Sequence, residues 1–152
     1  MSKEGRMPKK IDIEFIHNFF QAYCISCKSI CRELRMPQTA FDILMFLANN
    51  PEHNTAKSIV ELRGLKANLV SVNVERLVQE GYLYRRDFPG DRRKTVLLCT
   101  PKAQPVIDKG RELQRGFLED IFQDVSEASR ENFYGVMEAV ERNVNRIMKG
   151  SE

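Results

Sequence analysis

The chain has 152 residues, 42% of them apolar and 30% charged, a balance that supplies both a core and a soluble surface and predicts one compact domain. It contains no uncharged apolar run of about 18 residues, which excludes a membrane-spanning helix, and its basic start leads into Ile11 and Glu14 rather than an apolar stretch, so no signal peptide is expected. The net charge of +3 is uneven: residues 54–102 hold ten Lys and Arg against five Asp and Glu, a cationic middle suited to nucleic acid.

Ile11, Phe15, Ile16, Phe19, Phe20, Tyr23, Cys24, Cys27, Ile30, Cys31 and Leu34 recur at spacings of three and four, predicting a helix over residues 11–34. Met36-Pro37 ends it, because the residue before proline is pushed out of the α region. Thr39 is expected to cap a second helix over 40–49, with Phe41, Leu44, Met45, Leu47 and Ala48 on its apolar side. Asn54 or Thr55 then caps a short helix through Leu62, and Gly64 serves as its C-terminal turn residue. The next helix, over 66–80, carries Val70, Val74, Leu77 and Val78 at helical spacing and ends at Gly81.

Two apolar runs, 82–84 and 96–99, flank Pro89-Gly90 and predict a hairpin. Arg85, Arg86, Arg92, Arg93 and Lys94 crowd its tip, and a cationic ribbon suits a narrow minor groove. Thr100 as cap and Pro101 as first residue open a helix to about residue 122. After a break near Val125-Ser126, a last helix over 127–148 aligns Phe133, Val136, Met137, Val140, Val144, Ile147 and Met148. The stripes of the first and last helices must be buried somewhere. A second copy of the chain is the simplest cover, and a twofold dimer matches pseudo-palindromic DNA half-sites. The alternative is that both helices close a monomeric core.

The order helix, helix, basic hairpin, helix is a winged helix-turn-helix. The fold class is therefore mainly α with a small β-hairpin wing, a DNA-binding lobe over 39–103 and dimerisation helices at 11–35 and 104–149. At about 100° per residue, Val70, Val74 and Leu77 face inward, while Asn68, Ser71, Val72 and Glu75 face outward, with Arg76 on the flank. Asn can pair with an adenine edge, Ser with base or phosphate, and Val with a thymine methyl. Arg76 is placed to clamp a phosphate, and Lys66 with the helix N-terminal amides can hold another.

Residues 55–103 resemble the DNA-binding lobe of the MarR (multiple antibiotic resistance regulator) family. Asp91-Arg92-Arg93 matches the wing motif, followed by alternating apolar residues at Val96-Leu97-Leu98 and then Cys99-Thr100-Pro101-Lys102-Ala103. Residues 70–82 resemble the recognition helix and its Gly-apolar exit. The resemblance implies a homodimeric transcriptional regulator of double-stranded operator DNA. It implies that Asp91 orients the wing through a charge pair and that Arg93 reaches the minor groove, with Arg92 and Lys94 beside it. It also implies a small aromatic or lipophilic effector between the dimerisation helices and the lobe. Phe19, Tyr23 and Phe41 are its candidate pocket, though they fit a plain core equally well. Five positions depart from the pattern: Val72 stands where arginine is frequent, Asn73 and Arg63 replace apolar residues, and Cys99 and Ala103 replace Leu and Gly.

Cys24, Cys27 and Cys31 share one helix face. They fit core packing, a thiol redox sensor, or a soft-metal or cluster site. The two histidines, His17 and His53, make no metal spacing with them. A cytoplasmic chain with mostly reduced thiols is expected, without cofactor. A winged-helix protein-interaction module is the other alternative. The sequence offers no Ser-His-Asp set, paired-carboxylate motif or phosphate loop, so no enzyme is expected.

Overall fold

The structure, a computed structural model, describes residues 13–150; Ile11 and the basic start lie outside them. The described residues form six α-helices and one antiparallel hairpin: α1 (Ile13–Leu34), α2 (Gln38–Asn49), α3 (Ala56–Arg63), α4 (Ala67–Gln79), β1 (Leu83–Phe88), β2 (Asp91–Cys99), a 3-10 turn (Pro101–Ala103), α5 (Gln104–Ile121) and α6 (Glu127–Lys149). They fall into two compact units, one up to Arg115 and one from Gly116.

In the first unit α2 is the central element. Ala40, Phe41, Ile43, Leu44, Met45 and Leu47 are all buried, so the helix is enclosed on most sides rather than along the single stripe expected. Cys27 and Ile30 of α1, Ile59 of α3, Val70, Val74 and Leu77 of α4, Leu83 and Leu97 of the hairpin and Val106 and Ile107 of α5 complete the same core. The inward side of α4 is the one its periodicity predicts.

Two caps differ from expectation. Thr39 does not cap α2. The helix begins at Gln38, inside the turn that Pro37 opens, and the Pro37 carbonyl accepts the Phe41 N–H at 3.0 Å. Proline suits a helix entry because an N–H there has no intrahelical acceptor. Thr100 makes no side-chain cap either. Its hydroxyl donates to the Gly81 carbonyl at 2.5 Å and its N–H to the Tyr82 carbonyl at 3.0 Å, so it pins the base of the hairpin. Thr55 does cap α3, accepting the Ser58 N–H at 3.1 Å, and Gly64 follows in the left-handed conformation.

The strands run further than the apolar runs that announce them, because backbone pairing continues through the exposed arginines. Leu83 pairs with Cys99 and Asp87 with Thr95, and the register then jumps to Phe88 with Asp91. The jump skips Arg92, Arg93 and Lys94, the three cations of the tip. Gly90 turns the chain at φ +83°. The Leu97 N–H donates to the Asn54 carbonyl at 2.7 Å and ties β2 to the entry of α3.

In the second unit the Phe122 ring packs against Phe133 and Tyr134, with centroids 5.4 and 5.6 Å away. Arg130 lies 5.0 Å over Phe122 and donates to its carbonyl at 3.2 Å. Along α6, Val136, Met137, Val140, Val144, Ile147 and Met148 are exposed.

Candidate nucleic-acid interface

The outward face of α4 is a continuous exposed stripe. Asn68, Ser71, Val72, Glu75 and Gln79 are all exposed, and Val72 retains 68% of its surface. Lys66, at the N-cap, is exposed. The side chains near the start of the stripe are short, so the helix can approach a groove floor closely. Asn68 Oδ1 accepts the Leu69 N–H at 2.9 Å.

The wing lies beside this helix, and one ion pair joins the two. Arg85 of β1 donates from Nη2 to Glu75 Oε2 at 2.8 Å, and Gln79 Nε2 donates to Glu75 Oε1 at 3.2 Å. Arg86, Arg92, Arg93 and Lys94 are exposed, and the Lys94 ammonium sits 5.7 Å over the Phe88 ring. The base of the wing is held by Lys102, which donates to the Glu80 carbonyl at 2.6 Å and lies 4.8 Å over the Tyr82 ring.

Asp91 acts differently from the charge pair expected of it. No ion pair of Asp91 occurs among the described residues. Its Oδ1 accepts the backbone N–H of Arg93 at 2.9 Å, a local turn that fixes the chain rather than a guanidinium.

An exposed polar helix stripe, a clamped cationic hairpin beside it and a buried α2 behind both make a winged-helix lobe, and residues 34–94 match the model of the MarR family. The whole chain shares its fold with solved MarR structures. It is 16% identical to a protein described as MarR, with 96% of this chain and 99% of that chain covered at a TM-score of 0.77. A MarR transcriptional regulator from Methanosarcina mazei Go1 is 18% identical over 88% of this chain and 96% of its own, at 0.74. A MarR family transcriptional regulator from Listeria monocytogenes, complexed with 26mer DNA, is 16% identical over 88% and 89%, at 0.73. No curated protein sequence matches the chain.

The places where this lobe departs from the MarR family pattern are accommodated locally. Asn73 is 6% exposed, and its amide donates back to the Leu69 carbonyl at 2.8 Å. Arg63 lies 3.9 Å from Asp42. Ala103 is fully buried and Cys99 is half-buried opposite Leu83.

Arg76 is engaged within the lobe. Nε donates to Glu80 at 3.0 Å and Nη2 to the Arg35 carbonyl at 2.9 Å, at the residue that ends α1 with a left-handed φ of 52°. The guanidinium, expected to clamp a phosphate, here braces α4 against the α1–α2 corner.

The three thiols of α1 are free. Cys27 is buried, and Cys24 and Cys31 are half-buried. Burial pushes the Cys27 thiol up, and burial with the neighbouring Cys27 and Asp42 pushes Cys31 up to about 11. Raised thiols are poor nucleophiles and poor ligands at neutral pH. The Cys31 thiol lies 3.8 Å from Gln38 Oε1, and the described residues hold no cluster of His, Cys, Asp and Glu suited to a metal. This environment favours core packing over sensing.

The candidate pocket residues do not gather around one cavity. A cavity of about 190 Å³ is lined by Tyr23, Asp42, Met45, Phe46, Asn49, Asn50, Arg63 and Gln114. Of the three expected aromatics only Tyr23 is among them. Phe41 is fully buried in the core, and Phe19 stacks near Phe15 and Phe20, with centroids 6.5 and 6.0 Å away. Burial raises the Tyr23 phenol, whose oxygen accepts from Gln114 at 3.0 Å, and burial also raises Asp42. Sequence periodicity marked none of Asp42, Asn49, Arg63 or Gln114, because the lining joins residues as far apart as Tyr23 and Gln114, 91 positions, and leaves no local pattern.

Proposed function

We propose that the chain is a transcriptional regulator that binds double-stranded operator DNA as a homodimer, and that it is a binding protein rather than an enzyme. The observation that carries this reading is the pairing of the exposed α4 stripe with the cationic wing clamped beside it. Asn68, Ser71 and Val72 read the major groove, and Lys66 with the first α4 amides holds a phosphate. Arg92, Arg93 and Lys94 work from the wing, with Asp91 fixing the turn that presents Arg93. Arg76 supports the interface by bracing the recognition helix. The printed description of the Listeria monocytogenes relative as a complex with 26mer DNA supports the same partner.

The homodimer is supported by two exposed apolar faces. Ile13, Phe15, Ile16 and Phe20 of α1 and Val136, Val140, Val144 and Ile147 of α6 are all exposed. A second copy of the chain covers such faces at a fixed twofold geometry, which a pseudo-palindromic operator mirrors.

Relief by a small effector is the mode of control. The effector acts if it prefers one arrangement of the protein over another. The polar lining around Tyr23, Asp42, Asn49 and Gln114 favours a molecule with hydrogen-bonding groups beside any aromatic face. A salt titration of operator binding tests the reading. Phosphate contacts impose a steep fall of affinity with salt, and a protein-interaction module shows no DNA binding to titrate.

A further inference from the structure

On the reading of α4 as the groove-facing helix, we infer that Glu75 is a specificity-determining residue that accepts a hydrogen bond from a cytosine N4 amino group in each half-site. Glu75 lies in the exposed stripe one turn beyond Ser71 and Val72, and it is the one acidic member of that stripe. A carboxylate there meets a polyanion, which repels it unless its charge is matched and its oxygens find a donor.

The structure matches the charge. Arg85 reaches Glu75 Oε2 at 2.8 Å from the neighbouring strand, and Gln79 holds Oε1 at 3.2 Å. A charge-assisted bond of this length fixes the carboxylate direction as well as its charge. Two of about four acceptor positions on a carboxylate are thereby used, and acceptor capacity remains for a base.

The choice among bases follows from their edges in the major groove. Cytosine offers the N4 donor. Adenine sets its N6 donor beside the N7 acceptor, and guanine offers two acceptors, so both place a lone pair against the carboxylate. The network therefore selects cytosine, and Arg85 acts as a positioning residue through Glu75.

The test is selection of bound fragments from random double-stranded DNA with the full-length wild type, Glu75→Gln, Glu75→Ala and Arg85→Met, each checked for native helix content. The wild type is expected to enrich a site with one cytosine-requiring position per half-site, preferred by roughly ten- to hundredfold. Glu75→Ala is expected to lose the preference at that position alone. Glu75→Gln is expected to shift it to adenine, whose N6 and N7 a carboxamide matches. Identical sites from wild type and Glu75→Ala overturn the inference while leaving DNA binding intact. Equal affinity losses in Glu75→Ala and Arg85→Met with unaltered base preferences also overturn it, since Glu75 then only holds the wing. No enriched site from the wild type removes the DNA-binding reading itself, and the inference with it.

Discussion

The carboxylate of Asp91 accepts the backbone N–H of Arg93 at 2.9 Å, so the acid of the wing motif acts on the main chain two residues on. A charge pair would need a carboxylate. A turn of this kind needs only an acceptor oxygen on a short side chain. Asp91→Asn is therefore expected to keep operator affinity close to wild type, and Asp91→Ala to lower it by about 1 kcal/mol through loss of one hydrogen bond. Fluorescence anisotropy with a labelled operator separates the two. Equal losses in both variants would restore the charge pair.

The skipped register at the tip leaves Arg92, Arg93 and Lys94 exposed. Arg93→Ala is expected to weaken operator binding by about 1–3 kcal/mol with an unchanged melting temperature. Lys94→Ala is expected to weaken binding to all fragments alike and to lower the slope of log affinity against log salt by about one. A salt slope that stays the same would take Lys94 off the phosphate backbone.

Close packing of α5 on α2 depends on Gly110. A Cβ there would lie 2.4 Å from Met45 Sδ and 3.2 Å from Phe41 Cζ, and both side chains are enclosed. Gly110→Ala is expected to destabilise the fold by about 1–3 kcal/mol, the usual cost of overpacking. Denaturant unfolding measures it. A double-mutant cycle with Met45→Ala should show favourable coupling, because the truncated neighbour makes room.

The thiol of Cys31, at about 11, is protonated in the native state at neutral pH, with a thiolate fraction on the order of one in ten thousand at pH 7. Operator binding is expected to survive mild peroxide, and release of DNA that a Cys31→Ser variant abolishes would show a sensor instead. The pH dependence has a definite sign. The folded state holds this proton more tightly than the unfolded chain, whose thiol titrates near its ordinary 9.0. The stability contribution is full below about pH 9 and is lost as pH rises through 11. The difference in stability between wild type and Cys31→Ser isolates it.

Val144 is 47% exposed on the apolar face of α6. Val144→Asp is expected to leave the helix content unchanged and to shift the protein from dimer to monomer in sedimentation, since an unpaired charge buried in an interface costs about 3–5 kcal/mol. A dimer that survives this change would place the subunit contact elsewhere.

Much of the architecture was legible in the residues. Periodicity located α1, α2, α4 and α6, because an amphipathic helix repeats its apolar side at three and four residues whatever it packs against, while cap and turn residues marked α3 and α5. The inward side of α4, a cap at Asn54 or Thr55 and the break near Val125-Ser126 follow from short-range chemistry. The wing announced itself through Pro89-Gly90 and its cations. Thr39 and Thr100 misled, because a hydroxyl at a helix entry looks the same whether it bonds the next turn or a strand across the fold.

The sequence by itself determined the elements, their order and which sides of them are apolar, since these depend on neighbours within about a turn. The tertiary structure alone decided that Arg76 braces α4 against Arg35, that Arg85 meets Glu75, and that Tyr23 joins Asp42 and Gln114 around one cavity while Phe41 does not. Such contacts depend on how whole elements cross, and a long polar side chain takes whichever partner the crossing puts within reach. The same alphabet of arginines and carboxylates therefore reads as a solvated face in one dimension and as a clamp in three.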